Sequence, residues 1–307
     1  MSPFHILVPC STSNLGAGFD ALGIALGGPD LLVRCTPGGR GLRITRLSGQ
    51  GDATLPRDQT NRLIVAARAA ALAMGDDPDS LDAEIEVHSS IPLKRGLGSS
   101  AAAAVAGALI AEKLHGGAVV EERVLAAALA LEGHPDNVVP CLRGGVQVAV
   151  ISESGQVRSC PIRLALPLRA AIFIPEIELA TSEARAVLPK SVPLADAVFN
   201  LGRAALFVAA LAEGRLELLA EAMEDRLHQG PRGTLLPWLA GTLAAARGAG
   251  ALGASLSGAG TTVFALCAPD RVREVAAAMR DHAAARGVAG RAETVDVGVP
   301  GARIQQD

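Results

Sequence analysis

The residues Pro92-Leu-Lys-Arg-Gly-Leu-Gly-Ser-Ser-Ala101 run straight into an Ala-rich stretch of helical character. Gly96 and Gly98 permit backbone angles that other residues avoid and let a ligand approach the chain closely. Ser99 and Ser100 stand at the expected helix start, where unpaired N–H groups and the helix dipole attract phosphate. Lys94 and Arg95 add positive charge. The same residues would also serve an ordinary glycine turn with a serine N-cap. The stretch is not a Walker A loop, since no Gly-Lys-Ser or Gly-Lys-Thr is present. Gly16-Ala-Gly18-Phe-Asp-Ala21 is a weak dinucleotide-binding match, lacking the acidic residue expected about 20 positions on.

Glu132-Gly-His134-Pro-Asp136-Asn137 crowds four polar side chains after an apolar helix. His-x-Asp suggests zinc, but no third ligand follows at metal spacing. A polar turn between helix and strand accounts for the same residues. Gly253-Ala-Ser-Leu-Ser-Gly258-Ala-Gly260-Thr-Thr forms a second candidate backbone nest for anions, or else a flexible loop. Phosphate-binding loops in both halves of the chain favour a joint site.

The elements that must position these groups read as follows. Strands are expected at Phe4–Val8, Leu32–Cys35 and Leu42–Leu47, with a turn at Pro37–Gly41 joining the last two. Cys10–Asp20 reads as a loop. Helices are expected at Asn61–Met74, Ser100–His115 and Glu121–Leu131, and strands at Ala83–His88 and Val146–Ile151. Composition shifts near Cys160–Pro167, which places a boundary between domains at 1–165 and 166–307. The second half offers strands at Ala170–Ile174, Thr262–Cys267 and Arg291–Val297. Its helices are expected at Leu194–Leu211, Arg215–Leu227, Leu235–Arg247 and Val272–Arg286, with a loop at Gly253–Gly260. The mixture indicates an α+β protein.

With 307 residues, half of them apolar, the chain has ample material for one large or two medium cores. A net charge of -3 and only 2% aromatic residues argue against a nucleic-acid partner. The longest Ala-rich run, Ala101–Ala111, falls short of a membrane span. The N-terminus lacks the pattern of a secretory signal. Five scattered cysteines without C-x-x-C suggest reduced thiols in a cytoplasmic protein.

Together with Pro9-Cys-Ser-Thr-Ser-Asn14-Leu-Gly16-Ala-Gly18-Phe-Asp20, these stretches resemble the GHMP small-molecule kinases, and among them the homoserine kinases. Thr181-Ser-Glu-Ala-Arg185 and Gly-Pro-Arg232-Gly look like the same family. The motifs occur in the family's order and cover nearly the whole chain. The resemblance implies ATP-dependent phosphorylation of the L-homoserine hydroxyl, giving O-phospho-L-homoserine for threonine synthesis. It implies an N-terminal domain like the second domain of ribosomal protein S5, then a ferredoxin-like C-terminal domain. ATP would lie over Pro92, Leu93, Lys94, Arg95, Gly96, Leu97, Gly98, Ser99, Ser100, Ala101 and Ala102, with Ser257, Gly258 and Gly260 from the third loop. Ser100 and Glu132 would hold Mg²⁺. Asn14, Asp20, His134, Asp136, Arg185 and Arg232 would line the homoserine pocket. Asn137 and Thr181 would sit near the transferred phosphoryl group. A homodimer is expected by analogy.

These implied roles suit the chemistry. A zwitterionic substrate needs acceptors for its ammonium, which Asp20 and Asp136 can supply. Its carboxylate needs a bidentate donor, which Arg185 or Arg232 can supply. Hydroxyl and carboxylate oxygens are suitable ligands for Mg²⁺. Asn137 cannot accept a proton, so it would orient the hydroxyl or donate to phosphate, implying direct attack. The third loop departs from the family pattern at Ala259, which removes a hydroxyl, and at Thr261, which replaces a stiffening proline. Another GHMP kinase acting on a different alcohol, a non-catalytic sensor and a structural protein are the rival readings. Mevalonate or shikimate has no ammonium for Asp20 and Asp136 to meet.

Overall fold

In the computed structural model, which describes residues 1–306, the first strand runs beyond its apolar stretch. In β1 (Phe4–Ser13) the alternate residues Phe4, Ile6, Val8 and Cys10 are buried. It pairs antiparallel with the long β2 (Leu22–Pro37), and the register shifts between Pro9 and Cys10. Proline has no N–H for the ladder, which favours such an irregularity. The loop expected from Cys10 therefore begins only after Ser13, because Cys10–Ser13 pair with Gly23–Leu26.

The Gly/Pro cluster after β2 does not close a hairpin. β3 (Leu42–Gly49) runs parallel to β4 (Ala83–Ser89), and β4 lies between β3 and β2. A parallel pair needs a crossover, and α1 (Arg62–Met74) supplies it. That helix matches its expected limits: the Asn61 side chain accepts from Leu63 N–H, and Gly75 closes it at φ 82°.

α2 (Ser99–His115) is apolar almost all round and sits between other elements, as such helices do. A Cβ on Gly107 would lie 2.0 Å from the Leu63 carbonyl oxygen, so the α1 and α2 backbones are in contact there. α3 (Glu121–Glu132) ends at Gly133, and α4 (Pro135–Arg143) follows at once. The Glu132–Asn137 segment is thus a junction between helices and not a turn into a strand. Pro135 at the first helical position fits a helix start, and so does Asp136 in the first turn. β5 (Val146–Ile151) and β6 (Val157–Ile162) form a hairpin, so the composition shift at Cys160 begins inside a strand.

In the second half, β7 (Arg169–Pro175) is followed by α5 (Thr181–Ala186) and α6 (Leu194–Glu213). The helix expected over Arg215–Leu227 is broken into a 3₁₀ turn at Leu216–Leu218 and α7 (Leu219–Ala222). The Asp225 carboxylate stops it by accepting the N–H groups of Leu227, His228 and Gln229, which opens α8 (Gln229–Gly233). α9 (Leu239–Gly248) starts after Pro237. Half of the expected Gly253–Gly260 loop is β8 (Gly253–Leu256). β9 (Val263–Cys267), α10 (Val272–Ala284), β10 (Gly290–Val297) and β11 (Arg303–Gln306) complete the described chain.

All the strands belong to one sheet, with the main order β11-β1-β2-β10-β7-β9-β8. The last four follow a ferredoxin-like order and cover a core with α9 and α10 that includes Phe173, Val263, Val275 and Met279. A larger core lies under α1 to α4. The two parts of the sheet meet where Asp296 and Val297 pair with Gly27 and Leu26. α6 is long and apolar enough to cross a membrane by length and composition alone. It packs on the protein through Asn200, Phe207, Ala210 and Leu211, while Leu194, Val198 and Leu201 are exposed.

Candidate active site

The glycines of the Pro92–Ala101 loop are required by packing as well as by any ligand. A Cβ on Gly96, at φ 73°, would lie 2.1 Å from the Ser257 carbonyl oxygen, and one on Gly98 would meet Ser11 Oγ at the same distance. Gly98 is the N-cap residue of α2, and no side chain caps the helix. Neither serine is used as a cap, so the first N–H groups of α2 open towards the cleft. Arg95 is bound elsewhere: its guanidinium donates to the carbonyls of Leu93, Pro175 and Glu176 and faces Glu178. Lys94, at φ 53°, also pairs with Glu178, at 3.3 Å. Both line the cleft, but they tie the loop to the end of β7.

Ser100 donates to Glu132 Oε1 at 2.7 Å. A hydroxyl and a carboxylate oxygen beside an uncapped helix start are a hard-oxygen donor pair that fits Mg²⁺ with a polyphosphate. A residue that sequence reasoning missed joins them. Arg62 donates through Nε to the same Oε1 at 2.8 Å and through Nη2 to the Leu131 carbonyl at 2.6 Å.

Across the cleft, Asp20 and Arg185 form a two-point ion pair, with contacts of 2.7 and 3.1 Å. Its hydrogen bond to Asp20 raises the Arg185 pKa against the opposing effect of burial. His134 Nδ1 lies 2.5 Å from Asp136 Oδ1. Burial pulls the imidazole pKa down, but Asp136 and Asp20 outweigh it and the net shift is upward. Sequence spacing offered His134 and Asp136 no third metal ligand. Folding supplies one, since candidate ligand atoms of Asp20, His134 and Asp136 lie within 4.8 Å of one another. The Arg185 guanidinium on Asp20 makes this a group of both charges, suited to a zwitterion.

Arg232 is buried at 1% exposure and donates to the carbonyls of Ala184 and Gly258. Burial, with Arg185 nearby, lowers its pKa to about 10. Its other contact, His228 Nδ1 at 3.0 Å, fixes a tautomer that sequence reasoning also missed. His228 Nε2 faces the Gly16 carbonyl at 2.9 Å, so Nε2 carries the proton and Nδ1 accepts. Burial lowers the His228 pKa. Phe19 stacks on this ring and lies 5.4 Å from the Arg232 guanidinium carbon.

Asn137 is held at both ends of its amide. Its Oδ1 accepts from Ser11 at 2.9 Å and its Nδ2 donates to Ser13 at 2.8 Å. Ser11 and Ser13, missed as site residues, share one face of β1, and the polar run Cys10-Ser-Thr-Ser13 was the available signal. Asn14, at φ 70°, donates to the Gly258 carbonyl and accepts the Asp20 N–H. Thr181 begins α5 at the cleft edge.

The third loop supports the site from behind. Ser257 donates to the Gly96 carbonyl at 2.6 Å and meets Thr12 Oγ1 at 2.8 Å. Gly258 and Ala259 line the cleft, whereas Ser257 and Gly260 do not, and neither do Leu93, Ala101 and Ala102. In the position of a stiffening proline, Thr261 ties the turn down with its buried hydroxyl, which donates to the Ile177 carbonyl at 2.7 Å. All five cysteines are free, and burial pushes the Cys35 and Cys141 thiols up to about 12.

The chain is similar to known proteins. The family model "GHMP kinases N terminal domain" matches residues 61–145, and "GHMP kinases C terminal" matches residues 207–285. A homoserine kinase of Desulfitobacterium hafniense is 39% identical over 304 residues, covering 98% of this chain and 99% of that protein. One from Moorella thermoacetica is 43% identical over 283 residues, covering 92% and 93%. The crystal structure of homoserine kinase from Cytophaga hutchinsonii superposes with a TM-score of 0.88 at 30% identity, covering 99% of this chain and 98% of that one.

Proposed function

The chain belongs to the GHMP kinases and, among them, to the homoserine kinases, and we propose how its cleft performs that family's reaction. It phosphorylates the hydroxyl of L-homoserine with ATP, giving O-phospho-L-homoserine for threonine biosynthesis. The observation that carries the reading is the convergence of Asp20, Asp136, Arg185 and Arg232 beside the uncapped start of α2.

In this reading Asp20 and Asp136 accept the substrate ammonium. Arg185 turns N–H groups not engaged by Asp20 to the carboxylate, and Arg232 lies behind it as a buried positive charge. The first N–H groups of α2 and the Gly96–Gly98 backbone hold the nucleotide phosphates. Ser100 and Glu132 hold Mg²⁺, which when bound neutralises charge on the phosphates. Asn137, fixed by Ser11 and Ser13, aims its remaining N–H at the transferring group. Thr181 closes the cleft from the other side. An amide accepts no proton, so the substrate hydroxyl attacks directly and its proton leaves through phosphate or solvent. Such a reaction depends chiefly on positioning and charge neutralisation.

The reading includes a cytoplasmic setting, consistent with free cysteines, no nucleic-acid or membrane partner, and a homodimer, for which α6 offers an exposed apolar face. The division near residue 165 belongs to it too. ADP release over a panel of homoserine, mevalonate, shikimate and galactose tests the function. Homoserine-dependent release is expected, and faster turnover of another alcohol would overturn it.

A further inference from the structure

We propose that Arg62 is a positioning residue that confines the metal-holding carboxylate to a single oxygen and so selects Mg²⁺ over Ca²⁺. The inference rests on the reading of Ser100 and Glu132 as the metal-holding pair. Every contact described for the Glu132 carboxylate falls on Oε1, which accepts hydrogen bonds from Ser100 Oγ and Arg62 Nε and lies in ion-pair contact with Arg62 Nη2. Two hydrogen bonds and the ion-pair contact crowd Oε1, and Oε2 is the oxygen left for a cation.

The clamp does not depend on the metal. Arg62 also donates to the Leu131 carbonyl at 2.6 Å, at the end of α3 where unpaired carbonyls favour a cation. Glu132 has only 8% of its side chain exposed, against 42% for Arg62, so rotation to present both oxygens would break the ion pair at its buried end. A planar guanidinium can bind the carbonyl and the carboxylate at once, which an ammonium cannot do with the same fixed geometry.

The consequence follows from coordination chemistry. Mg²⁺ is small, prefers strict octahedral geometry and takes one oxygen per carboxylate. Ca²⁺ is larger and readily takes a carboxylate through both oxygens. A carboxylate locked on one oxygen therefore favours the smaller ion. The guanidinium charge also opposes a divalent cation at Glu132 in the absence of phosphate, so the metal is taken up with the nucleotide.

The test uses Mn²⁺ as a paramagnetic probe, titrated into the full chain with a non-hydrolysable ATP analogue and displaced by Mg²⁺ or Ca²⁺. In Arg62→Ala the ratio of affinities should move towards Ca²⁺ by roughly tenfold, the scale of lost outer-shell support. Arg62→Met, which keeps the stem, should do the same, and Arg62→Lys should recover part of the preference. Mn²⁺ binding without nucleotide should tighten in the Ala and Met variants. An unchanged ratio in a folded Ala or Met variant would overturn the role of Arg62. Undiminished Mn²⁺ affinity in Glu132→Gln would overturn the metal-holding pair itself, and the inference with it.

Discussion

At the scale of single residues, the charged groups that the fold brings into the candidate site were readable in the sequence because their types match a zwitterion. Their mutual pairing was not. Arg185 and Asp20 form a two-point pair with each other. Arg185→Lys keeps one charge but loses the fork, so the homoserine KM should rise about tenfold or more while the ATP KM holds. An unchanged homoserine KM would remove Arg185 from the pocket. His134 leads to a pH prediction. Its pKa is raised despite burial, because Asp136 and Asp20 favour the charged ring. On the proposed binding mode, protonated His134 competes with the substrate ammonium for Asp136, so the homoserine KM should fall as pH rises through that elevated pKa. His134→Gln should flatten the dependence. The stability contribution has the same origin: it is full below the ordinary value near 6.5 and is lost as pH rises through the folded value. His228, with its lowered pKa, acts in the opposite sense, and its contribution is lost as pH falls below about 6.5. Arg62, Ser11 and Ser13 escaped sequence reasoning because their partners lie far away in the chain, and the tautomer of His228 because it is set jointly by Arg232 and the distant Gly16 carbonyl.

At the scale of elements, signals carried by the chain itself were readable and those carried by contacts were not. Asn61 and Gly75 fixed the limits of α1, and Gly116 and Gly133 follow the ends of α2 and α3. The α4 helix was missed because His134-Pro-Asp136-Asn137 resembles a polar turn, although Pro135 occupies the one helical position where its missing N–H does no harm. The parallel pairing of β3 with β4 was hidden because nothing local distinguishes a hairpin turn from a crossover start. The alanines of α2 explain why it can lie so deep, and Gly107 explains how closely α1 approaches it. A Cβ at Gly107 would also meet Ala66 Cβ at 3.0 Å, so neither helix can yield without moving the other. Gly107→Ala should therefore lower stability by about 1–3 kcal/mol, the usual cost of overpacking. Calorimetry should show a melting temperature several degrees lower, and an unchanged Tm would mean that the helices separate freely. The displacement also reaches the site, because α1 begins with Arg62 and α2 with Ser99 and Ser100. On the proposed metal-holding role of Ser100 and Glu132, a raised Mg²⁺ requirement should accompany the lost stability.

At the scale of the molecule, the α+β class was readable from the mixture of periods, but the sheet order was not. One sheet runs through both cores, and the cleft lies where the N-terminal loop meets the second half. A Cβ on Gly16 would be 2.1 Å from the Met223 carbonyl oxygen, which measures how closely the two parts approach. No local pattern could announce that β11 returns to the outer edge of β1, pairing Phe4–Leu7 with Arg303–Gln306. That strand covers one end of β1, while the other end carries Ser11 and Ser13 into the site. The far end has its own anchors: Ser11 and Ser13 bond to Asn137, and the Ser13 carbonyl accepts the Gly258 N–H at 3.1 Å. A chain stopped after Ala302 should therefore lose stability without losing chemistry. Removing a short ladder whose bonds are each worth about 1 kcal/mol net should cost a few kcal/mol in denaturant unfolding. The uncovered edge should make the shortened protein more prone to aggregate on warming. Below its lowered transition, kcat per folded molecule should stay within about twofold of the full chain, since the groups that hold Asn137 remain. A matching fall in kcat in the folded protein would mean that β11 sets the position of Ser11 and Ser13 along the whole length of β1. The site would then depend on the opposite edge of the sheet.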